Sequence, residues 1–142
     1  MATTNTFNRL KTAFDLLGIT LEPVEGTELH QFEYENYPFY LSHNEGARSF
    51  FLFVDVMDAN GNLTEEAFND TIEIVAEYHP STCGQWHDGE PIFYTQPHQL
   101  PPRAKLKPEI LEHLLEDFHE AVLFMQGNLF IMTDDYFSSL IG

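Results

Sequence analysis

The sequence is poor in cysteine and in basic residues. Cys83 is the single cysteine among 142 residues, so no disulfide can form within the chain, and this count fits a reducing compartment. Lysine and arginine number 6 against 23 aspartate and glutamate, which gives a formal net charge of -17. Because such a charge repels phosphate backbones and anionic lipids, the composition argues against nucleic acid or a membrane surface as the partner.

Long apolar runs are also missing. No stretch approaches the roughly 20 apolar residues that a membrane helix needs, and residues 1–9 lack the apolar core of a secretion signal. We therefore expect a soluble, cytoplasmic protein. With 43% hydrophobic residues and about one domain's length, residues 1–142 are expected to form a single domain.

Aromatic residues, in contrast, are abundant. Thirteen Phe, six Tyr and one Trp are more large rings than a core of this size must hold. Large aromatic side chains are enriched at protein interfaces. Some of these rings are therefore expected on a surface that faces a partner.

Three segments have the apolar periodicity of a helix. The first covers 5–17 and ends at Gly18, and the second covers 64–78, with Thr64 as its cap. The third and clearest covers 108–125, and Gly127 is predicted to stop it.

Five segments have the character of β-strands: 29–34, 37–42, 49–57, 83–87 and 91–95. The first two alternate apolar and polar residues around Glu35 and Asn36, which predicts a hairpin. In the third strand, residues 50–54 are almost continuously apolar, which is typical of a strand covered on both faces. Asp88 and Gly89 predict a second hairpin turn. Together these segments predict an α+β fold, with a five-stranded antiparallel sheet and three helices in the order α-β-β-β-α-β-β-α.

Three further segments are less regular. Residues 19–25 contain a proline and are predicted to form an edge strand or a connector. Residues 97–108 are rich in proline, so we expect an extended linker across the surface. The tail, 129–142, is apolar and is predicted to form either a strand at 129–132 or a short helix capped by Thr133 or Asp134.

Two arrangements of possible metal ligands occur. Asp58, Asn60 and Gly61 resemble part of a calcium loop. With Gly61 at the sixth loop position, however, Val56 and Ala67 take the first and last ligand positions, and neither binds calcium. A strand-to-helix turn explains the same residues.

His79, Cys83 and His87 are spaced by four and, together with His98, would make an acceptable zinc set. They define the alternative function, a small metal-assisted hydrolase. The spacing lacks a CxxC pair, and Pro80 interrupts a common helix, so we expect no metal. No glycine-rich phosphate loop occurs, and we expect no cofactor.

The order helix, three strands, helix, two strands, helix resembles the type III secretion chaperone-like fold, including the YbjN family of bacterial proteins. The resemblance covers residues 5–125 and is carried by the strand at 50–54, the turn into Thr64 and the helix at 108–125. It implies a homodimer that presents apolar patches to an extended or amphipathic partner segment, without catalysis or a cofactor. The proline-rich segment 97–108 and the tail after Gly127 depart from the secretion chaperones.

The leading hypothesis is therefore a non-catalytic protein-binding module whose aromatic residues and acidic rim engage a partner protein. The first hairpin is the surface expected to bind it, through Phe32, Tyr34, Tyr37, Phe39 and Tyr40. The edge of this hairpin could also add a partner strand, although the same residues could pack under a helix instead. A mimic of nucleic acid is a third hypothesis from charge alone, but the acids are spread along the chain.

Overall fold

The computed structural model describes residues 5–56, 63–102 and 105–141, with side chains as far as Ile131. The helices are α1 (Thr6–Leu16), α2 (Glu65–Tyr78) and α3 (Pro108–Ile141). The strands are β1 (Glu22–Pro23), β2 (His30–Tyr34), β3 (Tyr37–Asn44), β4 (Ser49–Asp55), β5 (Thr82–His87), β6 (Glu90–Thr95) and β7 (His98–Gln99). The turn residues that resemble a calcium loop, Asp58, Asn60 and Gly61, lie outside the described residues.

The predicted α+β class, with three helices and antiparallel strands, is confirmed. The predicted number of five strands is wrong, because the described residues contain seven. The two additional strands, β1 and β7, have two residues each. Strand β1 lies in segment 19–25, predicted to be an edge strand or a connector, and β7 lies in the predicted linker 97–108. A ladder of two residues is too short to leave a detectable apolar alternation in the sequence.

Contacts within the chain divide it into two compact units. Unit 1 contains Met1–Val54 and Gln96–Asp117, and unit 2 contains Asp55–Thr95 and Phe118–Gly142. The expectation that residues 1–142 form a single domain stays a prediction.

In unit 1, the strands β1, β2, β3 and β4 pair in this order, and β7 pairs with β4; all these pairs are antiparallel. The predicted first hairpin is confirmed, since Tyr34 lies opposite Tyr37. Glu35 and Asn36 both have positive φ, 53° and 64°, which a tight two-residue hairpin turn requires. This turn fixes which side chains of β2 and β3 share a face.

Helix α1 covers one side of these strands. The ring of Phe14 lies 4.9 Å from that of Phe32, which stacks in turn on Phe39 at 5.5 Å. Leu10 and Leu41 are also fully buried in this core. The burial of these apolar side chains is the main term that holds α1 against the strands.

The predicted surface linker at 97–108 is partly a core segment. Leu100 is only 3% exposed, and its backbone N–H donates to the carbonyl of Arg48 at 2.7 Å. The side chain of Arg9 donates to the carbonyl of Pro101. These contacts tie the segment to the rest of unit 1, which corrects the expectation of a simple crossing on the surface.

In unit 2, helix α2 packs directly on β5. Thr64 caps this helix as predicted, because its hydroxyl accepts the N–H of Ala67 at 3.1 Å. The β5–β6 hairpin turns at Asp88 and Gly89, which have φ of 49° and 80°. Gly84 of β5 provides the space for α2: a Cβ at this position would lie 2.4 Å from Cγ1 of Ile72.

Helix α3 continues past its predicted end. Gly127 does not stop it, and the tail belongs to the same helix as far as Ile141. Both alternatives predicted for the tail, a strand at 129–132 and a separate short helix capped by Thr133 or Asp134, are therefore wrong. A glycine inside a helix costs only about 1 kcal/mol, and the buried side chains of Met125 and Leu129 on either side offset this cost. In the part of the chain that the structure describes, no helix is long and apolar enough to cross a membrane.

Candidate functional site

Two of the five predicted binding residues belong to the core. Phe32 is 3% exposed and Phe39 is 0% exposed, since both point to the side of the strands that α1 covers. The expectation that they line an exposed surface is therefore corrected. Their physical role is to anchor α1 through Phe14.

Tyr34 and Tyr37 lie on the same side as this core, at its rim next to the hairpin turn. Both are half-buried, and their rings lie 6.2 Å and 5.5 Å from that of Phe39. Burial raises the pKa of Tyr34, and the carboxylates of Glu116, Glu35 and Glu112 raise it further. Tyr34 therefore keeps its hydroxyl proton, because a negative phenolate would be repelled by these carboxylates.

Tyr40 points to the opposite side of the strands. It lies across from Phe53 of β4, and the two rings stack at 5.0 Å with an interplanar angle of 14°. Phe51 lies on the same side, 6.0 Å from Phe53. We call Tyr40, Phe51 and Phe53 the outer aromatic patch. All three are half-buried, so part of each ring is available to a ligand.

The sequence prediction missed Phe51 and Phe53. It treated 50–54 as covered on both faces, but β4 alternates, with Phe50, Leu52 and Val54 buried and the residues between them partly exposed. The alternation along β3 and its register with β4 are the signals that could have found them. The alternation that places Phe39 inward places Tyr40 outward, and the pairing of β3 with β4 then places Phe51 and Phe53 on the same side as Tyr40.

The rim of the outer aromatic patch is polar and acidic. Gln31 of β2 lies opposite Tyr40, and Glu33 lies opposite Pro38 on the same outer side. Glu33 is exposed. In a chain with a net charge of -17, this rim attracts a basic segment and repels an acidic one.

A cleft of about 890 Å³ adjoins the patch at the β3–β4 turn. Phe51 and Ser42 belong to both the cleft wall and the outer face, whereas His30, His43 and Glu45 line the other part of the cleft. Aromatic, imidazole and carboxylate groups are thus within reach of one ligand. Such a mixture of apolar walls and a few polar groups is typical of a binding cleft.

The histidines of this cleft pack around Phe7 of α1. The ring of Phe7 stacks on His30 at 4.3 Å and lies 5.2 Å from His43. Burial lowers the pKa of His30, and His43 lowers it further. His43 Nε2 lies 3.2 Å from an oxygen of Glu45.

Glu45 also fixes the start of α1. Its two carboxylate oxygens accept the backbone N–H groups of Thr6 and Phe7, each at 2.9 Å. These are amides of the first helical turn, which have no partner within the helix. A carboxylate at this end is also stabilised by the helix dipole. The β3–β4 turn therefore positions the start of α1, and with it the ring of Phe7 that packs on His30 and His43 of the cleft.

The free edge of the hairpin is a second feature of unit 1. β1 pairs with only the first two residues of β2, Glu22 opposite Gln31 and Pro23 opposite His30. Beyond this short ladder lies a cavity of about 400 Å³, bordered by Phe32 and Glu33 of β2 and by residues 18–20. An extended chain could lie here as a further strand.

The predicted metal ligands do not come together. Cys83 and His87 are both on β5, where four residues span about 13 Å, whereas zinc ligands must converge to about 2.0–2.3 Å from one ion. His79 lies beside Phe124, at 5.4 Å, and His87 Nε2 is 3.3 Å from a carboxylate oxygen of Asp88. No group of three His, Cys, Asp or Glu that could hold a metal is present among the described residues.

His98, the fourth residue of the predicted zinc set, belongs to β7 in unit 1 and contacts Phe50, at 5.4 Å. Burial lowers its pKa. Its imidazole is therefore mostly neutral near pH 7, and it packs half-buried against the ring of Phe50. This is a structural role, and nothing in the described geometry supports a catalytic one.

The sequence matches no protein-family model and no curated protein. A structural likeness exists nonetheless. A chain in the crystal structure of the ExsC–ExsE complex superposes with a TM-score of 0.63 at 15% identity, over 90% of this chain and 97% of that one. At such low identity the likeness shows the fold alone. It supports the fold predicted from the element order, whereas a chaperone-like role and membership of the YbjN family stay predictions.

Proposed function

We propose that the chain is a non-catalytic, chaperone-like protein-binding module that engages an extended or amphipathic segment of a partner protein. The observation that carries this proposal is the outer aromatic patch, in which three large rings lie side by side and partly exposed on one face of the strands. Aromatic residues clustered in this way are typical of the residues that dominate binding energy at interfaces.

The patch is also preorganised. Tyr40 and Phe53 are stacked in the unbound chain, and both are held by a regular antiparallel ladder. Rings that are already fixed lose little rotamer freedom when a partner covers them. A partner side chain placed on this surface therefore gains most of the free energy of apolar burial.

The negative charge of the chain favours a partner segment that contains basic residues. Glu33 borders the patch, and the net charge of -17 favours a partner with basic residues next to its apolar ones. Because the attraction between exposed charges is screened by salt, such binding should weaken as ionic strength rises. Nucleic acid and membrane surfaces do not fit this charge.

The edge of β2 supports an extended segment in particular. A strand added beside Phe32 and Glu33 would continue the short β1 ladder and receive its affinity from backbone hydrogen bonds. Tyr34, at the end of the same strand, is placed to contact such a segment, and Tyr37 lies beside it on β3. The outer aromatic patch would then bind side chains of the same partner.

The structural likeness supports a role in protein binding, since the matched chain is itself part of a complex with another protein. The remaining parts of the proposal are a cytoplasmic location, a homodimer and the absence of a cofactor. The metal-assisted hydrolase remains the alternative hypothesis, and no described observation favours it.

Differential capture from the source cell tests the proposal. Tagged wild type, Tyr40→Ser and Phe53→Ser are compared with Leu16→Ser, a control in which an apolar residue that is 67% exposed on α1 is changed instead. We expect one or more proteins that are retained by wild type and by the control and lost from both patch variants. Thermal unfolding of each variant verifies that the fold is intact.

If folded patch variants retain every protein that wild type retains, the outer aromatic patch is not the binding surface. If wild type retains nothing beyond what the tag alone retains, the binding function itself is contradicted. A captured protein that all variants hold equally counts against the patch, because that binding does not use it.

A further inference from the structure

The cleft at the β3–β4 turn has no role in the binding of a partner to the outer aromatic patch. Its volume of about 890 Å³ lies within the range of about 300–1,000 Å³ that is typical of small-molecule sites. Its walls belong entirely to unit 1, and Phe51 is the residue that it shares with the patch. The cleft is therefore a separate place where a ligand of its own can bind.

The charge of the cleft walls is negative. Glu28 and Glu45 line the cleft, whereas no lysine or arginine is among the described residues that do so. Burial lowers the pKa of His30, and His43 lowers it further, so the imidazole of His30 adds little positive charge near neutral pH. The walls therefore attract a cation and repel an anion.

Several polar groups of the walls have unused capacity for hydrogen bonds. Nδ1 of His30 and Nδ1 of His43 are buried and have no hydrogen-bond partner in the described part of the chain. The side chains of Glu28 and Ser49 also line the cleft without such a partner there. Buried polar groups are rarely left unpaired, and each exception requires an explanation. A ligand rich in hydrogen-bond donors would explain these exceptions together.

Glu45 is held in place and still has room for one more donor. Its Oε1 accepts the N–H of Thr6, while its Oε2 accepts that of Phe7 and lies 3.2 Å from Nε2 of His43. A carboxylate offers about four acceptor positions. One position on Oε1 is therefore open to a ligand. Because the helix amides fix the side chain beforehand, binding there loses little conformational freedom.

A guanidinium group matches these walls better than other cations. It carries a permanent positive charge and five N–H donors in one plane, with no acceptor. Its face can stack on the ring of Phe51 while its edge donates to a carboxylate. An ammonium group is more strongly hydrated and has fewer donors. For a metal ion, the described residues do not bring three suitable ligands together.

We propose that the cleft at the β3–β4 turn binds a guanidinium group, with Glu28 and Glu45 at its edge and Phe51 at its face. The group belongs either to a free small molecule or to an arginine side chain of a protein segment, and the chemistry of recognition is the same for both. This site lies beyond the proposed function, since it requires neither Tyr40 nor Phe53.

Titration of the full chain with butylguanidine, followed by two-dimensional NMR of the backbone amides, tests the site. We expect saturable shifts at the amides of Ser42, Gly46 and Ser49, with a Kd of about 1 mM for a ligand of this size. Butylamine should bind at least about threefold more weakly, because its ammonium group lacks the planar donors. The neutral analogue butyramide should give no saturable shift, and added salt should weaken the binding of butylguanidine.

Matched variants locate the binding group. Glu28→Gln should raise the Kd by about fivefold, since it removes the charge of an exposed carboxylate at the cleft. Glu33→Gln makes the same change at an exposed glutamate outside the cleft and should leave the Kd unchanged. Phe51→Leu should raise the Kd by about threefold through the loss of the aromatic face. Thermal unfolding of each variant verifies that the fold is intact.

A blocked Gly-Arg-Gly peptide separates the two sources of the group. Binding of the peptide at least as tight as that of butylguanidine assigns the cleft to an arginine side chain, and weaker binding assigns it to a free small molecule. Both results support a guanidinium site.

Three results would overturn the inference. These are the absence of saturable shifts at the cleft with either probe, equal affinity for butylamine and butylguanidine, and equal effects of Glu28→Gln and Glu33→Gln. The effect of Tyr40→Ser on partner capture is a separate measurement. The proposed function and the guanidinium site can therefore each fail alone.

Discussion

Helix α2 packs so closely on β5 that it leaves no space for a side chain at Gly84. A Cβ built at Gly84 lies 2.4 Å from Cγ1 and 2.5 Å from Cδ1 of Ile72, and 3.0 Å from Cζ of Phe68. Ordinary contacts between such carbon atoms are about 3.5–4.0 Å. In Gly84→Ala, therefore, α2 must move away from β5 by about 1 Å, or Ile72 must leave its rotamer.

The magnitude follows from two opposing effects. Inserting a methyl group into a packed site costs typically about 1–3 kcal/mol, whereas removing a glycine stabilises the folded state by about 0.4–1 kcal/mol through the unfolded chain. The net loss for Gly84→Ala is thus about 1–2 kcal/mol. At about 2.1 cal/mol/K of unfolding entropy per residue, this lowers the Tm by roughly 5 °C.

Urea unfolding followed by circular dichroism measures this loss, with Gly46→Ala as the control. A Cβ at Gly46 meets only Asn44 Oδ1, at 3.5 Å, so that variant should stay within about 0.5 kcal/mol of wild type. In an Ile72→Ala background, Gly84→Ala should cost less than in wild type, because the atoms it collides with are gone. An unchanged unfolding free energy for Gly84→Ala alone would refute the close packing of α2 on β5.

Three other predictions concern unit 1. Burial lowers the pKa of His98, so the stability contributed by its neutral ring is present above about pH 6.5 and is lost as the pH falls below that value toward the lowered pKa. In urea titrations, His98→Gln should therefore lose less unfolding free energy than wild type between about pH 7.5 and about pH 5.5. Equal losses would count against a lowered pKa of His98. Glu45→Gln removes the charge that accepts two amides of α1, and the urea midpoint should fall by the equivalent of about 1 kcal/mol; an unchanged midpoint would contradict this role. Phe39→Ala should lower the unfolding free energy by about 3–5 kcal/mol in the same assay, since Phe39 is fully buried. A loss below about 1 kcal/mol would contradict that burial.

The element order was predictable because its signals are local. The hairpin turns at 35–36 and 88–89 contain Asn36, Asp88 and Gly89, which tolerate the left-handed conformation. Thr64 is a hydroxyl cap before two acids. Each of these turns and the cap is determined by no more than four consecutive residues. The long helix was equally visible, because its apolar stripe is regular.

The end of α3 and the short strand β7 were not predictable in the same way, and β1 was predicted only as one of two alternatives for residues 19–25. Gly127 reads as a stop when only its neighbours in sequence are considered, but Leu129 is buried by tertiary packing, which outweighs the helix propensity of one glycine. Strand β7 exists because Phe50 and Ser49 of β4 offer it an edge. The residues of β7 alone do not show that this edge of β4 is available for pairing.

The candidate site was half predictable. Tyr40 was among the residues selected, whereas Phe32 and Phe39 were selected only because they are aromatic and turned out to be core residues. The alternation along β3 separates Phe39 from Tyr40 without any structure. Phe53 follows from Tyr40 only once the register between β3 and β4 is known, because that register places the two rings side by side.

Crosslinking from the outer aromatic patch tests the central claim most directly. A photoreactive phenylalanine analogue placed at Tyr40 keeps an aromatic ring against Phe53, and the same analogue at Leu16 serves as the control position on α1. After irradiation in the source cell, we expect a discrete crosslink from position 40 to one segment of a partner protein, and none from position 16. A folded protein that gives no crosslink from position 40, or the same crosslinks from both positions, would contradict a protein-binding role for this face.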